Sequence, residues 1–277
     1  MPQRITVAHS PDADDAFMFY GLASGKVHDA EFEFVHVLED IQTLNERAFT
    51  GRYEVTAVSF HAYAHLAKRY ALLSHGASMG DGYGPILVAK QPVDPASLPA
   101  KKIAVPGPLT SAVLALRMWR PGLPEIVVPF DRILDEVLAG RVDAGLIIHE
   151  GQVTYASLGL HKVVDLGEWW KGETGLPLPL GGNVIRKDLG PAVMRRVSHL
   201  LRASIQFGLS HRDEALTHAM QYGRDLNRQN ADRFVGMYVN DWTLDYGDRG
   251  REAVRRFLAR GYEAHILPRL VLPEFVD

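Results

Sequence analysis

The chain has no cysteine among its 277 residues, which excludes disulfide staples, thiolate metal sites and cysteine nucleophiles. Charge of one sign is also scarce: 30 Lys and Arg against 33 Asp and Glu leave a formal −3, too weak a field to gather nucleic acid or an anionic membrane. No apolar run approaches the ~20 residues that cross a bilayer. Met1 to His9 lacks the basic stretch and apolar block of a secretion signal. These absences lead to the expectation of a cytoplasmic protein with neither a nucleic-acid nor a membrane partner.

What remains is 47% hydrophobic and 23% charged, an ordinary globular composition, on a chain long enough for two lobes at ~100–200 residues per domain. Short apolar runs alternate with amphipathic ones, the pattern of an α/β fold with a mainly parallel sheet. Strands are expected at residues 5–8, 31–38, 55–58, 85–89, 102–105, 126–129 and 144–148, and helices at 16–22, 40–50, 113–119 and 133–139, with mostly helix after 184. In the helix at 40–50, Ile41, Leu44 and Phe49 are expected to face inward. The proline-rich 91–99 and the run Leu176-Pro177-Leu178-Pro179-Leu180-Gly181-Gly182-Asn183 are extended by their prolines and read as two crossings. The expected wiring is one lobe of residues 1–89 plus 184–277 and a second, inserted lobe of 90–183, with the active site in the cleft between them.

Ligands of open α/β sheets bind beyond the carboxyl ends of strands, and four such ends carry usable chemistry. His149 ends the apolar run 144–148. With an intrinsic pKa near ~6.5 a histidine there can act as a general base, and Glu150 or a backbone carbonyl can fix its tautomer; a histidine satisfied structurally at a strand end is the alternative. A zinc site of the His-Glu-x-x-His kind fails because the required second His is Val153. The turn Pro106-Gly107-Pro108-Leu109-Thr110-Ser111-Ala112 precedes a helix. It offers backbone N–H groups, the positive end of the dipole and two hydroxyls to an anion such as a carboxylate, or a simple N-cap.

The segment Ser10-Pro11-Asp12-Ala13-Asp14-Asp15 follows the first strand. Asp12 and Asp15 have the spacing of an acidic capping box, while Ser10 and Asp14 are candidates for substrate hydroxyls. Metal binding by these carboxylates ranks below capping, since a helix dipole already favours them. Ser59 closes the strand at 55–58 as a pocket donor. His61 and His65, four apart, lack a further metal ligand nearby and read as a solvated helix face. Trp169, Trp170 and Trp242 read as packing.

Six segments resemble the 1,4-dihydroxy-6-naphthoate synthases of the futalosine route to menaquinone. They are His9-Ser10-Pro11-Asp12-Ala13-Asp14-Asp15-Ala16-Phe17-Met18-Phe19, Leu38-Glu39-Asp40-Ile41-Gln42-Thr43-Leu44-Asn45, Asp131-Arg132-Ile133-Leu134, Ile147-Ile148-His149-Glu150-Gly151, the run 176–181, and Tyr238-Val239-Asn240. The resemblance implies a two-lobed periplasmic-binding-protein-like (type II) fold. It also implies a lyase that turns cyclic dehypoxanthinyl futalosine into 1,4-dihydroxy-6-naphthoate without cofactor or metal. On that resemblance His149 is the base, and substrate contacts fall on Ala57-Val58-Ser59 and Thr110-Ser111-Ala112; Ala57 stands where the family pattern leads to an expectation of Lys. The partner is then a small-molecule carboxylate. Two rivals share the fold: the chorismate dehydratase of the same route, against which the His149-Glu150-Gly151 strand end speaks, and a non-catalytic solute-binding protein, which would carry a secretion signal or lipid-anchor cysteine.

Overall fold

The computed structural model describes residues 1–222 and 227–277. β1 (Gln3–His9) buries Ile5 and Val7 completely. A turn then leads into α1 (Ala13–Met18) and α2 (Tyr20–Ala23). The single helix expected at 16–22 is therefore broken at Phe19, whose backbone (φ −92°, ψ 3°) leaves the helical region and whose ring stacks on His9 at 4.5 Å. β2 (Phe32–Leu38), α3 (Ile41–Ala48), β3 (Val55–Ser59), α4 (Phe60–Leu66), β4 (Tyr70–Leu73) and β5 (Ser78–Gly80) follow. Asp40 caps α3 by accepting from the N–H groups of Gln42 and Thr43, each at 3.1 Å. Leu44 is inside as expected, but Phe49 caps the other end and is exposed.

The chain then builds a second sheet: β6 (Ile86–Ala89), β7 (Ile103–Val105), α5 (Ser111–Trp119), β8 (Glu125–Val127), α6 (Ile133–Leu138), β9 (Ala144–Ile147), α7 (Gly151–Thr154), β10 (His161–Asp165) and α8 (Leu166–Thr174). Its order is β10-β6-β9-β7-β8. The pairs β7–β8 and β7–β9 are parallel, and β6 runs antiparallel to β9 and β10. β11 (Leu178–Arg186) returns to the first sheet, and α9 (Pro191–Ser210), α10 (Arg212–Ala219), α11 (Arg228–Tyr238), α12 (Asp241–Leu244), α13 (Gly247–Glu263) and β12 (Phe275–Val276) complete the chain. Among the described residues the first sheet has the order β12-β4-β11-β3-β1-β2, with β5 on β11.

This topology moves both expected crossings. Residues 86–89, assigned to the first lobe, form β6 and pair with β9 and β10 of the second sheet. Residues 178–183, assigned to the inserted lobe, belong to β11 and pair with β3 and β5 of the first. The inserted sheet therefore begins after Asp81–Pro85 rather than after Ala89. A strand's periodicity tells what it buries and not which partner it pairs with, so a crossing next to a strand is easily placed on its wrong side.

The apolar core is continuous between the sheets. Trp170 of α8, on the second side, packs edge-on against Phe257 of α13 at 5.4 Å, and Val113 and Leu114 of α5 share one cluster with Val58, Tyr63 and Leu178. Trp170 is 1% exposed and its indole N–H donates to the Pro177 carbonyl at 3.1 Å, so the ring is buried without an orphaned donor. Burying an aromatic of this size stabilises by about 2–3 kcal/mol. Above this core the carboxyl ends of β1, β3, β7 and β9 converge on one cavity.

Candidate active site

The cavity encloses ≈ 780 Å³, its mouth included, and both sheets line it. At the end of β7 the turn enters α5 with Thr110 as N-cap: its Oγ1 accepts from the Val113 N–H at 3.3 Å and donates to the Gly107 carbonyl at 2.9 Å. Thr110's hydroxyl is thus used within the turn. Ser111 is differently placed. Its Oγ accepts from the backbone N–H of His61 at 3.3 Å, which leaves its own proton to donate into the cavity. Ser59 is arranged likewise: Asn45 Nδ2 donates to its Oγ at 3.1 Å, while the Ser59 N–H donates to Asn45 Oδ1 at 2.9 Å. The N–H groups of Ser111 and Ala112 lie in the first turn of α5, where a helix supplies no carbonyl partner. Two hydroxyl donors, Ser59 from the first sheet and Ser111 from the second, together with the first-turn amides and dipole of α5, face one cavity and can hold a carboxylate.

His61, expected on a solvated face, is buried and joins this site from the opposite lobe. Its Nδ1–H donates to the Thr110 carbonyl at 3.2 Å, which fixes the tautomer, since a carbonyl only accepts. Burial lowers its pKa to about 4, against the opposing pull of the Thr110 bond, so the ring is neutral at physiological pH. Helical spacing located His61 on α4 but did not disclose that this face meets the second lobe.

Of the predicted segment Ala57-Val58-Ser59, Ala57 and Ser59 line the cavity, while Val58 points to the other side of β3, into the core. The antiparallel partner strand adds the residues opposite them: Gly181 pairs with Ser59 and Asn183 with Ala57. Ile41, Ile148 and Leu180 supply apolar wall.

The turn after β1 is tied together differently from the expected capping box. Asp12 makes no side-chain cap to α1. Instead the Ser10 hydroxyl donates to Asp12 Oδ2 at 2.6 Å and accepts from the Asp12 N–H at 3.2 Å, and Asp15 Oδ2 accepts from the Ser10 N–H at 2.7 Å. Asp15 therefore pins the strand end and Ser10's hydroxyl is engaged in the turn. Asp14 faces the cavity. Burial, then Asp15, then Asp12 raise its carboxyl well above the usual carboxylate range, which favours the protonated form, able to donate as well as accept. Beside it Tyr238 of α11 donates from its hydroxyl to Gln152 Oε1 of α7 at 2.6 Å. That bond joins the two lobes across the cavity, and burial keeps the phenol protonated. Among the described residues no group of three or more His, Asp or Glu is arranged to hold a metal ion.

His149 stands one residue past the cavity-lining Ile148 and is itself outside the lining. The Gly151 N–H donates to its Nδ1 at 3.0 Å, and its Nε2 lies 3.0 Å from the Phe130 carbonyl. A donor on one nitrogen and an acceptor on the other define the neutral Nε2–H tautomer. The ring meets Phe130 edge-on at 5.5 Å, and Glu150 Oε2 is 3.7 Å from Nδ1. Nδ1 thus carries the basic lone pair, directed at the Gly151 amide in this conformation.

Two α/β lobes closing on a cavity at their strand ends define the periplasmic-binding-protein architecture. The alkanesulfonate-binding protein of Xanthomonas axonopodis pv. citri, 13% identical, superposes with a TM-score of 0.72 over 98% of this chain and 96% of that one, a likeness of fold. A family described as menaquinone biosynthesis matches residues 5–263, and the chain belongs to it. A 1,4-dihydroxy-6-naphthoate synthase of Thermus thermophilus is 40% identical over 257 residues, 93% of each chain. A protein of Archaeoglobus fulgidus solved by X-ray crystallography is 50% identical, with a TM-score of 0.89 over 94% of this chain and 96% of that one.

Proposed function

We propose that the protein is a carbon–carbon lyase of menaquinone biosynthesis, acting in the cytoplasm on cyclic dehypoxanthinyl futalosine to release 1,4-dihydroxy-6-naphthoate and a sugar-derived fragment, without cofactor. The observation that carries this reading is the pairing of a carboxylate site, built from Ser59, Ser111 and the first turn of α5, with a histidine one residue from the cavity wall. The near full-length likeness to a naphthoate synthase supports the choice of substrate. The carboxylate of the substrate docks on the turn and its rings lie against Ala57, Ile148 and Leu180. His149 exchanges the Gly151 N–H for a substrate proton at Nδ1. The electron pair left behind drives cleavage of the carbon–carbon bond, and aromatisation of the naphthalene product supplies the driving force. General-base catalysis contributes about 10²–10⁴-fold; the Tyr238–Gln152 bond holds the lobes together around the substrate, and positioning with exclusion of water supplies the rest.

The test is direct. Purified protein incubated with cyclic dehypoxanthinyl futalosine, with no metal or nucleotide added, should generate the naphthoate, followed by its absorbance. Binding without product would assign the chain to solute binding instead, and conversion of chorismate would make it the dehydratase.

A further inference from the structure

The cavity wall bears a second polar feature that the carboxylate site does not use. Asn183 of β11 is 1% exposed, and because it pairs with Ala57 its side chain emerges on the same face as that cavity-lining residue. Its Nδ2 donates to the Gly76 carbonyl at 3.2 Å and touches Met18 Sδ at 3.5 Å. Turning the amide over would set two acceptors against each other, so its orientation is fixed. Its Oδ1 is buried and has no partner among the described residues. A buried carbonyl oxygen left unpaired is costly unless something else satisfies it.

The surroundings identify what that partner is. Met18 and Asp14 lie one turn apart on α1, so the Met18–Asn183 contact brings the Asp14 carboxyl to the neighbourhood of the amide. Asp14 faces the same cavity, with no carbonyl or cation bonded to its carboxyl among the described residues, and Tyr238 stands beside it. Asn183 offers an acceptor, and the Asp14 carboxyl, whose protonated form its surroundings favour, offers a donor and an acceptor in that form. That combination suits neutral hydroxyl groups, which donate and accept, and suits neither an anion nor a cation. The Ala57–Asn183 rung lies two residues from the Ser59–Gly181 rung, about 7 Å along the strands, a separation that a fused ring can bridge.

We propose that Asn183 and Asp14 form a hydroxyl-recognising subsite that holds the sugar-derived part of the substrate while the α5 turn holds the ring carboxylate. This rests on the lyase reading above and adds the orientation of the substrate: carboxylate to α5, hydroxylated appendage to α1 and β11. The fragment leaves from the Asn183 side. Gly76 sets this subsite, because its φ of +76° suits glycine and a Cβ there would run into Asn183 Nδ2.

The product offers the control, since 1,4-dihydroxy-6-naphthoate keeps the ring and carboxylate and lacks the appendage. For wild type, Asn183→Ala, Asp14→Ala and Asp14→Asn, the KM for cyclic dehypoxanthinyl futalosine and the Kd for the naphthoate would be measured, the latter by quenching of its fluorescence. The two alanine variants should raise KM about tenfold or more, the loss expected for a buried hydrogen bond to a ligand. Their product Kd should stay within about twofold. Asp14→Asn, which keeps a donor and an acceptor, should remain within about threefold of wild-type KM. An unchanged KM in both alanine variants would overturn the subsite, as would an equal loss of substrate and product affinity, which would mark a general collapse of the cavity. If Asn183→Ala fails to fold, Asp14→Ala alone decides by the same comparison. Absence of turnover in the wild type would overturn the lyase reading, and the subsite with it.

Discussion

Replacing His61 by Asn should exchange stability at neutral pH for resistance to acid, and the size of the exchange follows from the burial of the ring. The folded protein holds His61 with a pKa of about 4 against an ordinary 6.5. The unfolded chain therefore binds a proton as pH falls through about 6.5, while the folded one does not until about 4. The sign is then fixed: the neutral imidazole's contribution is fully present above 6.5 and is lost progressively as pH falls toward 4. At about 1.4 kcal/mol per pH unit the loss reaches about 3 kcal/mol, with about 2 kcal/mol of it gone by pH 5. In His61→Asn the amide Nδ2 can take over the donation to the Thr110 carbonyl, now 3.2 Å from Nδ1, but the smaller side chain leaves a void worth about 1–2 kcal/mol. Urea unfolding at several pH values between 4.5 and 8 reads both effects. The variant should be less stable than wild type at pH 8, and the two stability curves should converge and meet near pH 5 to 5.5. Because only the difference between two proteins is used, the opposite pH trend of Asp14 and Asp15 cancels. Parallel curves, with the same gap at pH 8 and pH 5, would refute the assignment of His61 as a buried neutral histidine.

Two further substitutions probe the cavity. Ser111 is the first helical residue of α5, a position where proline fits without breaking a helix, so Ser111→Pro should fold while losing both the hydroxyl and the first-turn N–H; KM should rise about tenfold or more, and an unchanged KM would move the carboxylate site elsewhere. Gly76→Ala places a side chain at φ +76° against Asn183 and should lower stability by at least about 1–2 kcal/mol, seen as a lower melting temperature; a variant as stable as wild type would contradict the close approach at this turn.

The strand–turn–helix units that carry the Ser10, Ser59, Ser111 and His149 positions are legible in the sequence because each is local: an apolar run, a polar turn, an amphipathic helix. What depends on pairing is not. β4, β5 and β12 are short and largely buried, with no alternation to announce them, and β6 reads equally well as a strand of either sheet. Val58 sits between two cavity residues in sequence, yet strand parity sends it to the core. Asn183 ends the run read as an extended crossing, so nothing local pairs it with Ala57, although a polar residue between Gly182 and Val184 of β11 is a usable signal. Asn45 and Tyr238 lie in segments that carry the family resemblance, but their roles, one holding Ser59 and the other reaching Gln152 across the cavity, emerge only when distant elements meet.

The central claim, that this fold performs general-base cleavage with His149, is tested most directly by comparing His149→Asn with wild type in single-turnover reactions on cyclic dehypoxanthinyl futalosine. Asparagine keeps hydrogen-bonding capacity for the Gly151 N–H and the Phe130 carbonyl, now 3.0 Å from the ring nitrogens, but cannot take a proton at neutral pH. The variant should fold and bind substrate with near-normal affinity while its turnover falls by at least about 100-fold. Turnover within a fewfold of wild type would remove His149 from the chemistry and leave it as the residue that ties the end of β9 to Phe130 and Gly151.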